Sequence, residues 1–151
     1  MIELVKIDFE ELAYFVDVAY VYDNELLTKY HVAEYSLEDA VKETMRMIEV
    51  TSADVEGNGE EMFYFGVLWN KNEIGYCVTF RNNLYSFGIN LGSRTKEILS
   101  QFWLKIKEIL GDKFITMLYP NNTRAISWLK RCGMCEIEDA EQFCVTLINI
   151  N

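Results

Sequence analysis

The chain has 151 residues, half of them apolar and one of them proline, which is enough to bury most of its unfolded surface in one domain and unlike a disordered tail. Its formal charge of −10 is uneven: residues 1–87 hold 6 Lys+Arg against 17 Asp+Glu, whereas residues 88–135 hold 8 against 3. The charge pattern lacks the widely basic face that nucleic-acid binding needs, no uncharged apolar run reaches the length of a membrane span, and the opening M-I-E-L-V-K-I lacks the cationic start and long apolar run of a signal peptide. The expectation is a single cytoplasmic domain over residues 1–151 with no nucleic-acid or membrane partner. Its acidic first part either solvates the surface or meets a cationic partner, and its basic middle suits a compact anion.

Ile2, Leu4 and Ile7 alternate among polar residues as a short strand. Asp8 with Glu11 forms a capping pair, after which Phe9, Leu12, Val16 and Ala19 keep helical spacing to about Tyr22. Ser36 with Asp39 repeats the start signal for a second helix marked by Ala40, Val41, Met45 and Ile48. T-S-A-D-V-E-G-N-G-E-E, residues 51–61, has no periodicity and reads as a mobile loop. Three strands follow, 62–69, 74–80 and 84–91, with turns so short that they must form an antiparallel meander. Ile98, Phe102, Ile106 and Ile109 stripe a helix over 94–110, which Gly111 closes. A strand at 114–119, a helix from Pro120 to Arg131 ended by Gly133, and strands at 134–137 and 142–149 complete the order. A strand, long helix and strand in succession imply a crossover into a parallel pair, hence a mixed sheet with helices on its faces.

The four cysteines are Cys77, Cys132, Cys135 and Cys144. Cys132 and Cys135 make a C-G-M-C pair, but zinc would need two further ligands and the chain has one histidine, His31. The pair also closes a helix where a redox pair would open one, so small buried thiols and no metal are expected.

The element order, together with N-T-R-A-I-S-W-L-K-R-C-G-M at residues 122–134, resembles the GCN5-related N-acetyltransferase (GNAT) superfamily across nearly the whole chain. Asn122, Ala125 and Gly133 fall on that family's asparagine, small helix residue and glycine; Met134 replaces an aromatic. N-E-I-G-Y-C-V-T-F also places Gly75 where relatives often carry a glycine in the second meander strand. The resemblance implies an α/β (α+β) GNAT fold: a mixed, mostly antiparallel sheet, one parallel crossover, and helices on both faces.

The resemblance also implies acetyl-CoA as co-substrate, lying between the strand before the long helix and the strand after it. A helix N-terminus suits a pyrophosphate. In this chain that place is G-S-R-T-K, where Gly92, Ser93, Arg94, Thr95 and Lys96 offer curvature, hydroxyls and charge; the same residues serve equally as a capped helix start with basic surface. The family's R/Q-x-x-G-x-G/A turn is absent, with Glu97 and Ile98 where glycines would stand. Backbone amides near Ile89, Asn90 and Leu91 would polarise the thioester, Gly88 would widen the approach or mark a bulge, and Asn122 would cap a helix and bond the CoA arm. Many relatives carry a tyrosine four residues before the motif glycine; here it is Leu129, which cannot donate a proton. Tyr119 is the substitute by position, with Glu60, Glu61 or Glu73 as conceivable bases.

Two functions follow. One is an acetyl-CoA-dependent N-acetyltransferase acting directly on a primary amine of a cationic small molecule or protein. The other is a GNAT-fold protein without catalysis, serving as a binding or structural part such as a phage virion component. Eighteen phenylalanine and tyrosine residues leave room for a homodimer patch or an aromatic core.

Overall fold

The computed structural model describes residues 1–21, 36–137 and 144–150; His31 lies outside them. The elements are β1 (Ile2–Ile7), α1 (Phe9–Tyr20), α2 (Leu37–Gly57), β2 (Phe63–Trp69), β3 (Asn72–Phe80) and β4 (Asn83–Ile89). After a 3₁₀ turn at Leu91–Ser93 come α3 (Lys96–Leu110), β5 (Phe114–Leu118), α4 (Thr123–Arg131), β6 (Cys135–Ile137) and β7 (Val145–Asn149). Among the described residues, α1 to α4 each start with a side-chain cap that satisfies a backbone N–H without an intrahelical partner. Asp8 accepts from the Glu11 amide at 3.0 Å and Ser36 from Asp39 at 3.1 Å. Thr95 accepts from Ile98 at 3.3 Å and Asn122 from Ala125 at 3.4 Å. Gly111 and Gly133 stand just past α3 and α4 at φ +78° and +106°, where L side chains are strained.

Among the described residues the sheet has seven strands in the order β1-β2-β3-β4-β5-β7-β6. Strands β1 to β4 are antiparallel neighbours, and β4 meets β5 in parallel. Asn70 and Lys71 join β2 to β3 with both φ values positive, the two-residue geometry that matches strand twist. Alternate side chains feed two cores. Tyr76 and Val78 pack under α1 and α2 with Leu12, Val16, Ala40 and Ile48. Cys77, Val67 and Leu84 pack under α3 and α4 with Phe102, Ile106 and Leu129. This is the mixed sheet with helices on both faces that the sequence implies.

The expected loop at 51–61 is corrected: α2 runs on to Gly57. Ile48, Ser52 and Val55 continue the buried stripe at helical spacing, and Ser52 is tolerated there because Tyr64 donates a hydrogen bond to its hydroxyl at 3.0 Å. A hydroxyl on the core face hides the period from a count of apolar residues. Strand β4 is shorter than the expected 84–91, because Asn90 and the 3₁₀ turn take the chain out of the sheet.

Cys77 is fully buried, and burial pushes its thiol from the ordinary 9 up to about 12. The unfolded thiol ionises near 9 while the folded one keeps its proton, so stability is whole below pH 9 and drains away between 9 and 12. Cys77→Ala removes that drain. Wild type is expected to be the more stable at pH 7, with the gap shrinking by about 2 kcal/mol at pH 10.5. Parallel thermal melts at the two pH values measure it, and an unchanged gap would refute it.

Candidate functional site

Strands β4 and β5 are joined only at their base among the described residues. Asn83 pairs with Ile115, the Ile115 N–H donates to Asn82 O at 2.9 Å, and the buried Thr116 hydroxyl donates to Leu84 O at 2.8 Å. Beyond this clamp no ladder bond joins them. A cleft of about 780 Å³ opens there, lined by both strands, by α1 and α2 on one side and by α4 along its length on the other. The register of β4 on β3 shifts at Tyr85, a bulge that bends the strand at the point of divergence.

The hydrogen-bond alternation of β4 decides which backbone groups face the gap. The Asn90 N–H donates to Ile74 O at 2.6 Å, so Asn90 and Gly88 turn their backbone groups to β3. Phe87 and Ile89, in between, turn theirs to the gap. The Ile89 carbonyl accepts from Arg94 Nε at 2.9 Å, leaving the Phe87 and Ile89 amides aimed at the space between the strands.

Of the site residues singled out from sequence, the cleft gathers Gly88, Ile89, Arg94, Tyr119 and Asn122. Asn122 caps α4 through its oxygen and has its amide N–H groups left for a ligand. Asn90, Leu91, Gly92, Ser93, Thr95 and Lys96 form the turn beside the cleft rather than its lining. Asn90 is the fastener of that turn, donating to Val18 O at 2.8 Å and accepting from the Gly92 amide at 3.1 Å. Gly88 packs against a ring: a Cβ there would sit 3.0 Å from Tyr76 and 3.2 Å from Ala19. Leu129 is sealed in the core, away from the cleft. Among the expected bases, Glu73 accepts from Tyr14 on the outer surface and Glu60 pairs with Arg81; neither they nor Glu61 line the cleft.

The side under α1 and α2 is lined with hydroxyls that single-residue reading missed. Tyr20 and Tyr76 lie 3.2 Å apart through their hydroxyls, Tyr76 and Ser86 2.8 Å, and Thr51 and Tyr85 2.8 Å. Burial holds the Tyr76 phenol well above the ordinary tyrosine range, so it stays a neutral donor. Burial also raises Tyr119, whose hydroxyl approaches Met47 Sδ at 3.7 Å. The other side carries Arg94, Arg124 and Arg131, and among the described residues the lining contains no carboxylate. A signal for the α4 wall was present in the sequence: Arg124, Ser127, Trp128 and Arg131 follow i, i+3, i+4, i+7 spacing. Also among the described residues, no group of three His, Cys, Asp or Glu could hold a metal ion, and no helix is long and apolar enough to cross a membrane.

The sequence matches no protein-family profile and no curated protein. Solved structures do match. An acetyltransferase from Thermus thermophilus aligns with a TM-score of 0.70 at 14% identity, over 99% of this chain and 96% of its own. The PaiA N-acetyltransferase from Thermoplasma acidophilum, in complex with coenzyme A, gives 0.70 at 13% identity over 100% and 99%. Spermidine N-acetyltransferase from Vibrio cholerae, in complex with CoA and spermine, gives 0.57 at 11% identity over 97% and 92%. The fold is that of the GCN5-related N-acetyltransferases.

Proposed function

We propose that the chain is an acetyl-CoA-dependent N-acetyltransferase that passes the acetyl group directly to a primary amine. The observation that carries this is the gap between β4 and β5. It encloses about 780 Å³, aims the Ile89 amide inward, and among the described residues its lining includes Arg94, Arg124 and Arg131 and no carboxylate. Acetyl-CoA supplies the activated acyl group when bound. Arg94 would hold phosphate, Asn122 would donate to the amides of the arm, and the Ile89 N–H would polarise an acyl oxygen lying between the strands. Two strand walls and α2 exclude water, which strengthens each of these bonds.

The acceptor is an amine of a cationic small molecule or of a protein. Residues 1–87 hold 17 Asp+Glu against 6 Lys+Arg, an acidic excess that favours approach of a cation. Inside, the apolar and hydroxyl lining disfavours the ammonium form and so favours the neutral, nucleophilic amine.

Calorimetric titration with acetyl-CoA tests the reading. Micromolar affinity is expected, weakened at least tenfold, about 1.4 kcal/mol, by Arg94→Glu in a variant whose melting curve stays cooperative. No binding at millimolar acetyl-CoA would overturn it. A second reading, a GNAT-fold binding or structural protein without catalysis, draws on Leu129 being core and on the turn at 91–96 lacking its glycines. Binding without thiol release across a panel of amines is the result that would favour it.

A further inference from the structure

We propose that Asn90 is a positioning residue that joins the two halves of the cleft, passing the order that the acyl cofactor gives to the turn at 91–95 on to the last turn of α1. This rests on the acetyl-CoA reading above and adds how one wall of the site is set by the other. Every polar group of Asn90 is engaged. Its backbone N–H donates to Ile74 O on β3 at 2.6 Å, and its carbonyl accepts from the Ser93 amide at 2.9 Å. Its side-chain oxygen accepts from the Gly92 amide at 3.1 Å, while its side-chain nitrogen donates to Val18 O at 2.8 Å, 72 residues away in the chain. Asparagine suits this place because its short amide accepts through one atom and donates through the other.

Val18 belongs to the last turn of α1, whose carbonyls find no partner along the helix itself. The Val21 amide takes Asp17 O at 3.0 Å, and Asn90 supplies the donor for the next carbonyl. The same turn carries Ala19 and Tyr20, which line the cleft. It can lie this close to β4 because Gly88 has no side chain: a Cβ there would sit 3.2 Å from that of Ala19. Through its hydroxyl Tyr20 meets Thr44 of α2 at 3.1 Å and Tyr76 of β3 at 3.2 Å, so the pose of the α1 end sets this wall of the cleft. On the other side of Asn90, Arg94 lines the cleft and donates to Ile89 O at 2.9 Å. A ligand that grips Arg94 therefore steadies residues 89–94, and Asn90 carries that restraint to Val18. The two walls are coupled through motion that both lose, with no need of a large displacement.

The test is amide hydrogen exchange, read residue by residue by NMR, on wild type, Asn90→Ser and Asn90→Asp with and without saturating acetyl-CoA. Serine keeps an oxygen for the Gly92 amide but is too short to reach Val18; aspartate has the reach but nothing to donate. In wild type the cofactor is expected to slow exchange of the Tyr20 and Val21 amides about tenfold, because a helix end exchanges by local fraying. The Ile109 and Leu110 amides, at the end of α3, fray alike and should not respond. Both variants should keep less than about twofold slowing at Tyr20 and Val21 with acetyl-CoA bound. A bond of structural value alone would lower their melting temperature and leave the cofactor's effect on α1 intact. Equal slowing in wild type and both variants, or acetyl-CoA binding with no slowing in wild type, overturns the assignment and leaves the acetyltransferase reading standing. No binding of acetyl-CoA to wild type overturns both. Where a variant melts early the wild-type arm decides by itself: slowing must reach Tyr20 and Val21 and spare Ile109 and Leu110.

Discussion

Replacing Gly75 by alanine should cost about 3–5 kcal/mol, the largest stability loss expected of any single methyl added to this chain. Gly75 lies across from Ile89 on β4, and a Cβ at Gly75 would be driven onto the Gly88 carbonyl oxygen, far inside van der Waals contact, with Ile89 Cα at 3.1 Å. Both obstacles are backbone. Neither can move without opening the β3–β4 ladder at the point where Asn90 and Ile74 are joined. Gly66 makes the control. The three atoms nearest a Cβ there all belong to the Phe15 ring, the first at 2.5 Å, and a ring tip can swing aside. Gly66→Ala should therefore cost about 1–2 kcal/mol and be partly restored by Phe15→Leu, whereas no side-chain change should restore Gly75→Ala. Urea unfolding measures both. A Gly75→Ala midpoint within error of wild type would show that the strands are not held as described. The loss also reaches the site, because β4 presents the Ile89 amide from the edge opposite β3.

The sequence carried the element order well because its signals are local. Asp8 with Glu11, Ser36 with Asp39 and Gly111 each mark a helix boundary through chemistry that acts within one turn. It failed where a polar residue took a core position, as Ser52 did, since that residue's justification is Tyr64 on another element. The same limit governs the site. Arg94, Tyr119 and Asn122 could be picked out because the resemblance to GNAT sequences points to the segments around α3 and α4. The Tyr20–Tyr76–Ser86 chain could not, because it joins α1, β3 and β4 across distances that only the fold closes. Glu73 was misplaced for a related reason. Read in the turn before a strand at 74–80, it lies within β3 instead, and nothing local says that it will face outward beside Tyr14.

Tyr119→Phe is expected to lower turnover about 100-fold while leaving acetyl-CoA affinity within about threefold of wild type. A departing thiolate needs a proton, and Leu129, where relatives carry tyrosine, is buried and has none to give. Among the cleft hydroxyls, Tyr20, Tyr76 and Ser86 already bond to one another, and Tyr85 bonds to Thr51. Tyr119 stands at the open end of β5, 48% exposed, with the Met47 thioether as a weak neighbour. Burial raises its phenol, so it keeps its proton through neutral and mildly alkaline pH. The donor form is lost only as pH rises through that raised value, so wild-type turnover should hold through pH 9 and fall above the ordinary tyrosine range. The variant should lose that alkaline limb along with its rate, while its melting temperature stays put because the hydroxyl supports no buried hydrogen bond. A rate and pH profile equal to wild type would exclude Tyr119 as the donor. The same assay on Tyr85→Phe would then show whether the proton comes from the neighbouring strand, where freeing the Tyr85 hydroxyl would first require breaking its bond to Thr51.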